Sequence, residues 1–265
     1  MPAILMHHDG PIARIKLNRP EVRNAINDEL IAELADALKA AERNPTIRVV
    51  ILSGEGDFFC AGADLNWMKS FVGASRKKNE ADALKFARLL QSLNELGKPT
   101  IAQVHGAAIG GGVGLLAACD VVVAFENTVF ALAEVKLGLV PAVISPFVIA
   151  RMGASAARRY FLTGERFTSD VALRLGLVHE VVPMERLETV ANEIARHLLS
   201  SGPEAVKHAK ELIRVVGRGQ RSAVPTKDPI QQYTVKKIAA LRASPEAQEG
   251  MKAFLEKRKP NWNVP

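Results

Sequence analysis

Short apolar runs and longer amphipathic stretches alternate through the first two-thirds of the chain. "IARIKL" at 12–17, "RVVILSG" at 48–54, "PTIAQVHG" at 99–106 and "DVVVAF" at 120–125 are compact apolar runs and read as strands. Between them, "INDELIAELADALKAAERN" at 26–44 and "EADALKFARLLQSLNELG" at 80–97 repeat apolar positions every three or four residues, the period of a helix with one buried face. Strands interleaved with helices predict an α/β layered core. After Pro183 the pattern changes. "MERLETVANEIARHLLSS", "PEAVKHAKELIRVVG", "DPIQQYTVKKIAALRA" and "PEAQEGMKAFLEKRK" predict successive helices, several opened by proline or an acidic residue. "GRGQRSAVPTKD" at 217–228 reads as a polar loop among them. The expected division is a core over 1–200 and a helical region over 201–265, with no internal repeat.

Composition adds exclusions. The 265 residues are 48% hydrophobic, enough for a sizeable core. No apolar run reaches the roughly 20 residues of a membrane span. The start "MPAILMHHDG" lacks a secretion signal, so a cytoplasmic location is expected. Two cysteines, Cys60 and Cys119, make no disulfide framework and lack metal-ligand spacing; they read as buried thiols. The six histidines include the adjacent pair His7 and His8 and otherwise lie scattered, which argues against a metal centre. The formal charge of +7 raises the possibility of an RNA-binding or scaffolding protein, but the basic residues form no stripe interleaved with aromatics. A small polyanionic ligand accounts for the charge equally well.

The candidate chemistry begins with "HGAAIGGGVGLLAACD" at 105–120, which carries no obvious catalytic side chain. Glycines at 110, 111 and 112 let another molecule approach the main chain. A helix beginning near Gly112 would point unpaired N–H groups and its positive dipole end at an anion or a developing oxyanion. A tight turn before a buried helix fits the same residues. In "GEGDFFCAGADLNWM" at 54–68, the small residues Ala61, Gly62 and Ala63 follow Phe58 and Phe59, and the Ala63 N–H is a candidate second donor. Glu134 is the one acid between Asn127 and Gly164, set among Val129, Phe130, Leu132, Val135, Leu137 and Val140. Apolar surroundings would raise its pKa and suit it to proton transfer. The competing reading is an exposed strand-edge glutamate neutralised by Lys136. Asp64 and Asp120, each beside a turn, read as backbone-capping residues. Nucleophile-elbow, phosphate-loop and dinucleotide motifs are absent; Leu115 stands where a third dinucleotide glycine would fall.

Six ordered stretches, "LNRPEVRNAI", "FCAGADLNWM", "HGAAIGGGVGLLAACD", "EVKLGLVPAV", "FLTGERFTSDVALRLGLVHEVVP" and "KAFLEKRKP", together resemble the enoyl-CoA hydratase/isomerase (crotonase) superfamily. The resemblance implies a spiral of ββα units, a C-terminal helical region that builds trimers or dimers of trimers, and an acyl-CoA thioester as substrate. It implies no cofactor beyond the coenzyme A that the substrate carries. The oxyanion donors carry over to the backbone N–H groups of Ala63 and Gly111. Arg23, Ala25, Ala61, Asp64, Leu65 and Gly110 would line the CoA channel. Phe254 and Lys257 would close it or contact a neighbouring subunit's ligand. Of the two glutamates of simple enoyl-CoA hydratases, the second matches Glu134, and the first falls at Gly114. A single glutamate resembles the Δ3-Δ2 enoyl-CoA isomerases, in which it moves a proton between C2 and C4. The surrounding motifs resemble bacterial methylglutaconyl-CoA and isohexenylglutaconyl-CoA hydratases. The resemblance therefore implies a hydratase of a 3-branched glutaconyl-type thioester, with the missing side chain at Gly114 leaving room for a bulky acyl group.

Overall fold

The computed structural model describes residues 1–219 and 229–262. Its first strands, β1 (Ile4–Asp9) and β2 (Ile12–Leu17), form an antiparallel hairpin whose two-residue turn places Gly10 at a positive φ of 54°. Next in chain order come α1 (Asp28–Arg43), β3 (Val49–Gly54), α2 (Leu65–Lys69), α3 (Arg76–Glu95), β4 (Thr100–Val104), β5 (Ala107–Ile109) and α4 (Gly111–Ala118). Then follow β6 (Val121–Phe125), β7 (Val129–Ala131), α5 (Ser145–Thr163), β8 (Arg166–Thr168), α6 (Ser169–Arg174), β9 (Glu180–Val182) and α7 (Met184–Leu199). Helices α8 (Pro203–Gly219), α9 (Pro229–Arg242) and α10 (Pro245–Leu255) complete the described chain. The expected α/β layering and the four late helices are present. Helix α8 runs to Gly219, so the first three residues of the expected polar loop are helical; the loop's remainder lies outside the described residues.

The large sheet has the order β1-β2-β3-β4-β6-β9 and is parallel from β2 onward. A small sheet, β5-β7-β8, stands apart from it. Strand β3 shows why the large sheet is buried on both faces. Val50 and Leu52 point into a core shared with α1, α3, α4 and α5, while Val49 and Ile51 point into a second cluster with Leu187, Ala191 and Ala195 of α7. Side chains alternate across a strand, so helices are needed on both sides. Helix α1 supplies its share through Leu30, Ile31, Leu34, Leu38 and Ala41 on one face, and the Asn27 side chain caps its start by accepting from the Leu30 N–H. Helices α8, α9 and α10 pack mainly on one another. Within the described residues, no helix is long and apolar enough to cross a membrane.

Three connections, following β3, β4 and β7, supply the candidate residues. The segment after β3 leads to Ala63, the segment after β4 leads to Gly111, and the segment after β7 carries Glu134. In parallel sheets the C-terminal ends of the strands are where loops build a site.

Candidate functional site

The first wall is set by Arg19 and Asn24. A 3-10 turn at Pro20–Val22 ends in two successive residues with left-handed backbone, Arg23 at φ 55° and Asn24 at φ 56°. Asparagine tolerates that conformation better than most side chains. Here Asn24 is fully buried; its amide donates to the carbonyls of Glu55 and Phe58 at 2.8 and 2.7 Å and accepts from the Arg19 N–H at 2.8 Å. The Arg19 guanidinium then joins the Ala25 carbonyl at 2.5 Å to the Asp64 carboxylate at 2.8 Å. Two loops distant in sequence are thereby fixed to each other. Neither Arg19 nor Asn24 stood out in the sequence, although an asparagine two residues beyond a Pro-initiated turn is a left-handed candidate.

That junction orients Ala63. Ile26 N–H donates to Gly62 O at 2.7 Å and Asp64 N–H donates to Ile26 O at 2.9 Å. Between those bonds, the Ala63 N–H faces away from Ile26, outside the bridge. Asp64 behaves as its turn position predicts: one oxygen accepts from the N–H groups of Asn66 and Trp67, capping α2, and the other holds Arg19. Burial alone would push its pKa up; the Arg19 guanidinium and the two N–H donors outweigh burial and hold it below the usual range. Ala61 is tied to the Arg23 carbonyl at 3.0 Å, and Ala25 is buried beside it. The Arg23 guanidinium lies 5.0 Å from the centre of the Phe58 ring, and Leu65 is 74% exposed at the start of α2.

The second wall is the glycine turn, whose residues each meet something different. Gly110 has φ 50° and ψ −113°, and its N–H donates to Ala131 O at 2.8 Å. A Cβ there would stand 3.0 Å from Glu134 Oε1. A Cβ on Gly111 would stand 2.7 Å from Ile26 Cδ1, and one on Gly112 would stand 2.6 Å from Cys60 O. Helix α4 begins at Gly111, one residue earlier than predicted, and its first bond runs from Gly114 N–H to Gly110 O. The Gly111 N–H is therefore one of the unpaired donors of the first turn. The two walls touch: Cys60 and Ala108 form a β-bridge, and a Cβ on Gly62 would stand 3.2 Å from Ile109 O. Ala63 and Gly111 follow that contact by one and two residues.

Glu134 faces this turn. It lies not on a strand edge but in a 3-10 turn, Ala133–Leu137, so the reading that pairs it with Lys136 along an extended strand is overturned. Its Oε2 is buried with no hydrogen-bond partner among the described residues. Burial raises its pKa above the ordinary carboxylate value, offset in part by a backbone hydrogen bond.

Gly114 requires a correction. The expected room beside it is filled: a Cβ at Gly114 would stand 2.9 Å from Ile144 Cβ and closer still to Ile144 Cγ2. Ile144 is 3% exposed and was not singled out from the sequence. Phe254, 83% exposed, and Lys257, at φ 54°, lie elsewhere in the chain. Helix α10 is anchored through Glu246 to the start of α8. Just beyond it, the Trp262 carbonyl accepts from Arg48 at the N-terminal end of β3, the end opposite the site. Cys60 and Cys119 are buried free thiols, each pushed up to about 12 by burial.

Comparisons with known proteins agree with this architecture. Residues 7–265 match the family described as enoyl-CoA hydratase/isomerase. The chain is 35% identical to the 2,3-dehydroadipyl-CoA hydratase of Escherichia coli, covering 99% of each protein. It is 32% identical to the crotonyl-CoA hydratase of Syntrophomonas wolfei, covering 98% of this chain and 97% of the relative. The crystal structure of an enoyl-CoA hydratase from Shewanella pealeana superposes with a TM-score of 0.93 at 39% identity, covering 98% of this chain and 96% of that one. The fold is thus the α/β crotonase fold, with its C-terminal helical region. On a match that runs nearly end to end, this enzyme belongs to the enoyl-CoA hydratase/isomerase family.

Proposed function

We propose that the enzyme adds water across the 2,3-double bond of an acyl-CoA thioester, of 3-branched glutaconyl type. The observation that carries the reading is the Glu134 carboxylate beside the glycine turn, with its Oε2 buried and unpartnered among the described residues. The thioester oxygen sits between the N–H groups of Ala63 and Gly111. Water oxygen bonds to C3 and gives one proton to Glu134, the C2=C3 electron pair moves to place an enolate charge on the thioester oxygen, and Glu134 returns a proton to C2. The elements of water are added, and the carboxylate is restored. Each well-placed N–H donor contributes about 3 kcal/mol as charge develops on the oxygen. The raised pKa of Glu134 suits a group that must both accept and deliver a proton near neutral pH. The reaction needs no cofactor beyond the coenzyme A of the substrate.

Support for a carboxylated acyl chain comes from the Escherichia coli relative, whose name specifies a dicarboxylic acyl group. Arg23, stacked over Phe58 at the rim, offers a cation to the phosphates of coenzyme A. Exposed apolar residues on α8, α9 and α10, including Ile213, Val235, Ile238, Met251, Phe254 and Leu255, suit self-association into a trimer or a dimer of trimers. In such an assembly Phe254 and Lys257 would approach a neighbouring copy's ligand.

One observation favours a second reading. Ile144 occupies the volume beside Gly114, so Glu134 has no acidic counterpart at that position, as suits an isomerase shifting a proton between C2 and C4. The two are separated by offering 3-methylglutaconyl-CoA, crotonyl-CoA and a 3-enoyl-CoA to the purified enzyme and analysing products by mass. Water gain on 3-methylglutaconyl-CoA, faster than on crotonyl-CoA, is expected. Conjugation of the 3-enoyl-CoA with no water gain on any substrate would replace hydration by isomerisation.

A further inference from the structure

We infer that Ile144 and Gly114 form a reciprocal pair that sets acyl-chain selectivity, Ile144 being the apolar wall that limits how far the chain extends past Glu134. The inference rests on the acyl-CoA reading above. It starts from the incompatibility of the two side chains: any Cβ at position 114 would stand 2.9 Å from Ile144 Cβ, nearer than real Cβ contacts come, and 3.6 Å from Leu90 Cδ1. Gly114 is glycine because Ile144 is already there. Backbone freedom does not explain it, since the position is an ordinary interior residue of α4.

The wall is close to the chemistry. Gly114 N–H donates to Gly110 O, which places it one helical turn, about 5.4 Å, along α4 from the residue that faces Glu134 Oε1. The side chain of Ile144 therefore packs against the helix one turn on from the residue that faces the carboxylate. Its backbone is held as well: the Ile144 carbonyl accepts from the N–H groups of Phe147 and Val148 at 3.1 Å each, at the entry to α5. Ile144 itself is 3% exposed, and Val148, one turn on in α5, is fully buried. The side chains of Leu90 and Ile144 offer no hydrogen bond, so what meets them is the apolar 3-branch of the acyl group and not its distal carboxylate.

The test measures binding of butanoyl-CoA and octanoyl-CoA, saturated thioesters that cannot be hydrated, by titration calorimetry. Ile144→Ala is expected to improve the octanoyl-to-butanoyl affinity ratio by about 10-fold or more, the usual worth of one to a few methylenes in a pocket. Ile144→Val should move it in the same direction by less, and keeps the test alive should the alanine variant fold poorly. Gly114→Ala should weaken binding of both thioesters, and Gly114→Ala in the Ile144→Ala background should restore it to within about threefold of Ile144→Ala alone. An unchanged ratio across wild type, Ile144→Val and Ile144→Ala, no restoration in the double variant, or no binding of either thioester would overturn the inference. Because no turnover is involved, a shifted ratio without hydration of any enoyl-CoA would refute the proposed reaction and leave the selectivity wall standing.

Discussion

Helix α4 has an acid near each end, and the protein treats the two in opposite ways. Beyond its C-terminus, Asp120 Oδ2 accepts from the Thr100 N–H and hydroxyl at 2.7 and 2.9 Å and pairs with Lys210 of α8 at 2.8 Å. The Arg151 guanidinium donates to the carbonyls of Ala117, Cys119 and Asp120, so the last carbonyls of the helix meet a cation that also complements its dipole. Before the N-terminus, Glu134 has a buried oxygen with no partner among the described residues and a raised pKa. Asp120 is held by hydrogen bonds and an ion pair, whereas Glu134 keeps one buried oxygen unpartnered among the described residues. A carboxylate's role is set by what surrounds it, and here one short helix separates an acid tied into the fold from the one proposed to transfer protons.

The largest expected effect comes from removing the proposed catalytic acid. Glu134→Gln should lower turnover by roughly 10²-fold or more, as loss of a general acid/base does, while calorimetry shows butanoyl-CoA binding within a few fold of wild type. Wild-type turnover in this variant would move proton transfer to another group. Next in size is the junction beneath Ala63. Asn24→Ala strands the half-buried carbonyls of Glu55 and Phe58 and should cost about 1–3 kcal/mol in denaturant unfolding, with a raised KM as the Ala63 loop loosens. Asp120→Asn, at the other end of α4, should cost about 1–2 kcal/mol and leave kcat nearly unchanged. A hundredfold fall in kcat for Asp120→Asn would erase the distinction between the two acids.

The smallest effect is a pH dependence of stability. Folding raises the Glu134 pKa, so the folded chain keeps this proton to a higher pH than the unfolded chain does. The group costs nothing below the ordinary carboxylate value, and its ionisation destabilises the fold as pH rises through the raised value. Thermal unfolding of Glu134→Gln should therefore run above wild type at pH 8 and converge with it at pH 4. Asp64 has the opposite sign: its lowered pKa contributes stability at neutral pH that is lost as pH falls. Arg19→Met should remove most of that acid-labile contribution.

Much of this was readable from residue patterns. Compact apolar runs located the four inner strands β2, β3, β4 and β6, since burial on both faces makes a strand apolar throughout, and a period of 3.6 located α1 and α3; the edge strands β1 and β9 were not read. Lone apolar surroundings marked Glu134, and turn chemistry marked Asp64 and Asp120. The misreadings share a cause. Glu134 was open to a strand reading because three residues of real strand, Val129–Ala131, run directly into its 3-10 turn. Gly114 suggested empty space because a glycine reports its own lack of a side chain and nothing about Ile144, thirty residues on. Arg19 and Asn24 act through bonds to Asp64, Glu55 and Phe58, and pairings across that span leave no local period.

The central claim, that Glu134 alone moves the α-proton of a thioester held by two main-chain donors, is tested most directly by deuterium exchange. Butanoyl-CoA incubated with enzyme in D₂O and followed by proton NMR should lose its C2 signal with wild type, and roughly 10²-fold more slowly with Glu134→Gln. Equal exchange rates in the two proteins would contradict the account.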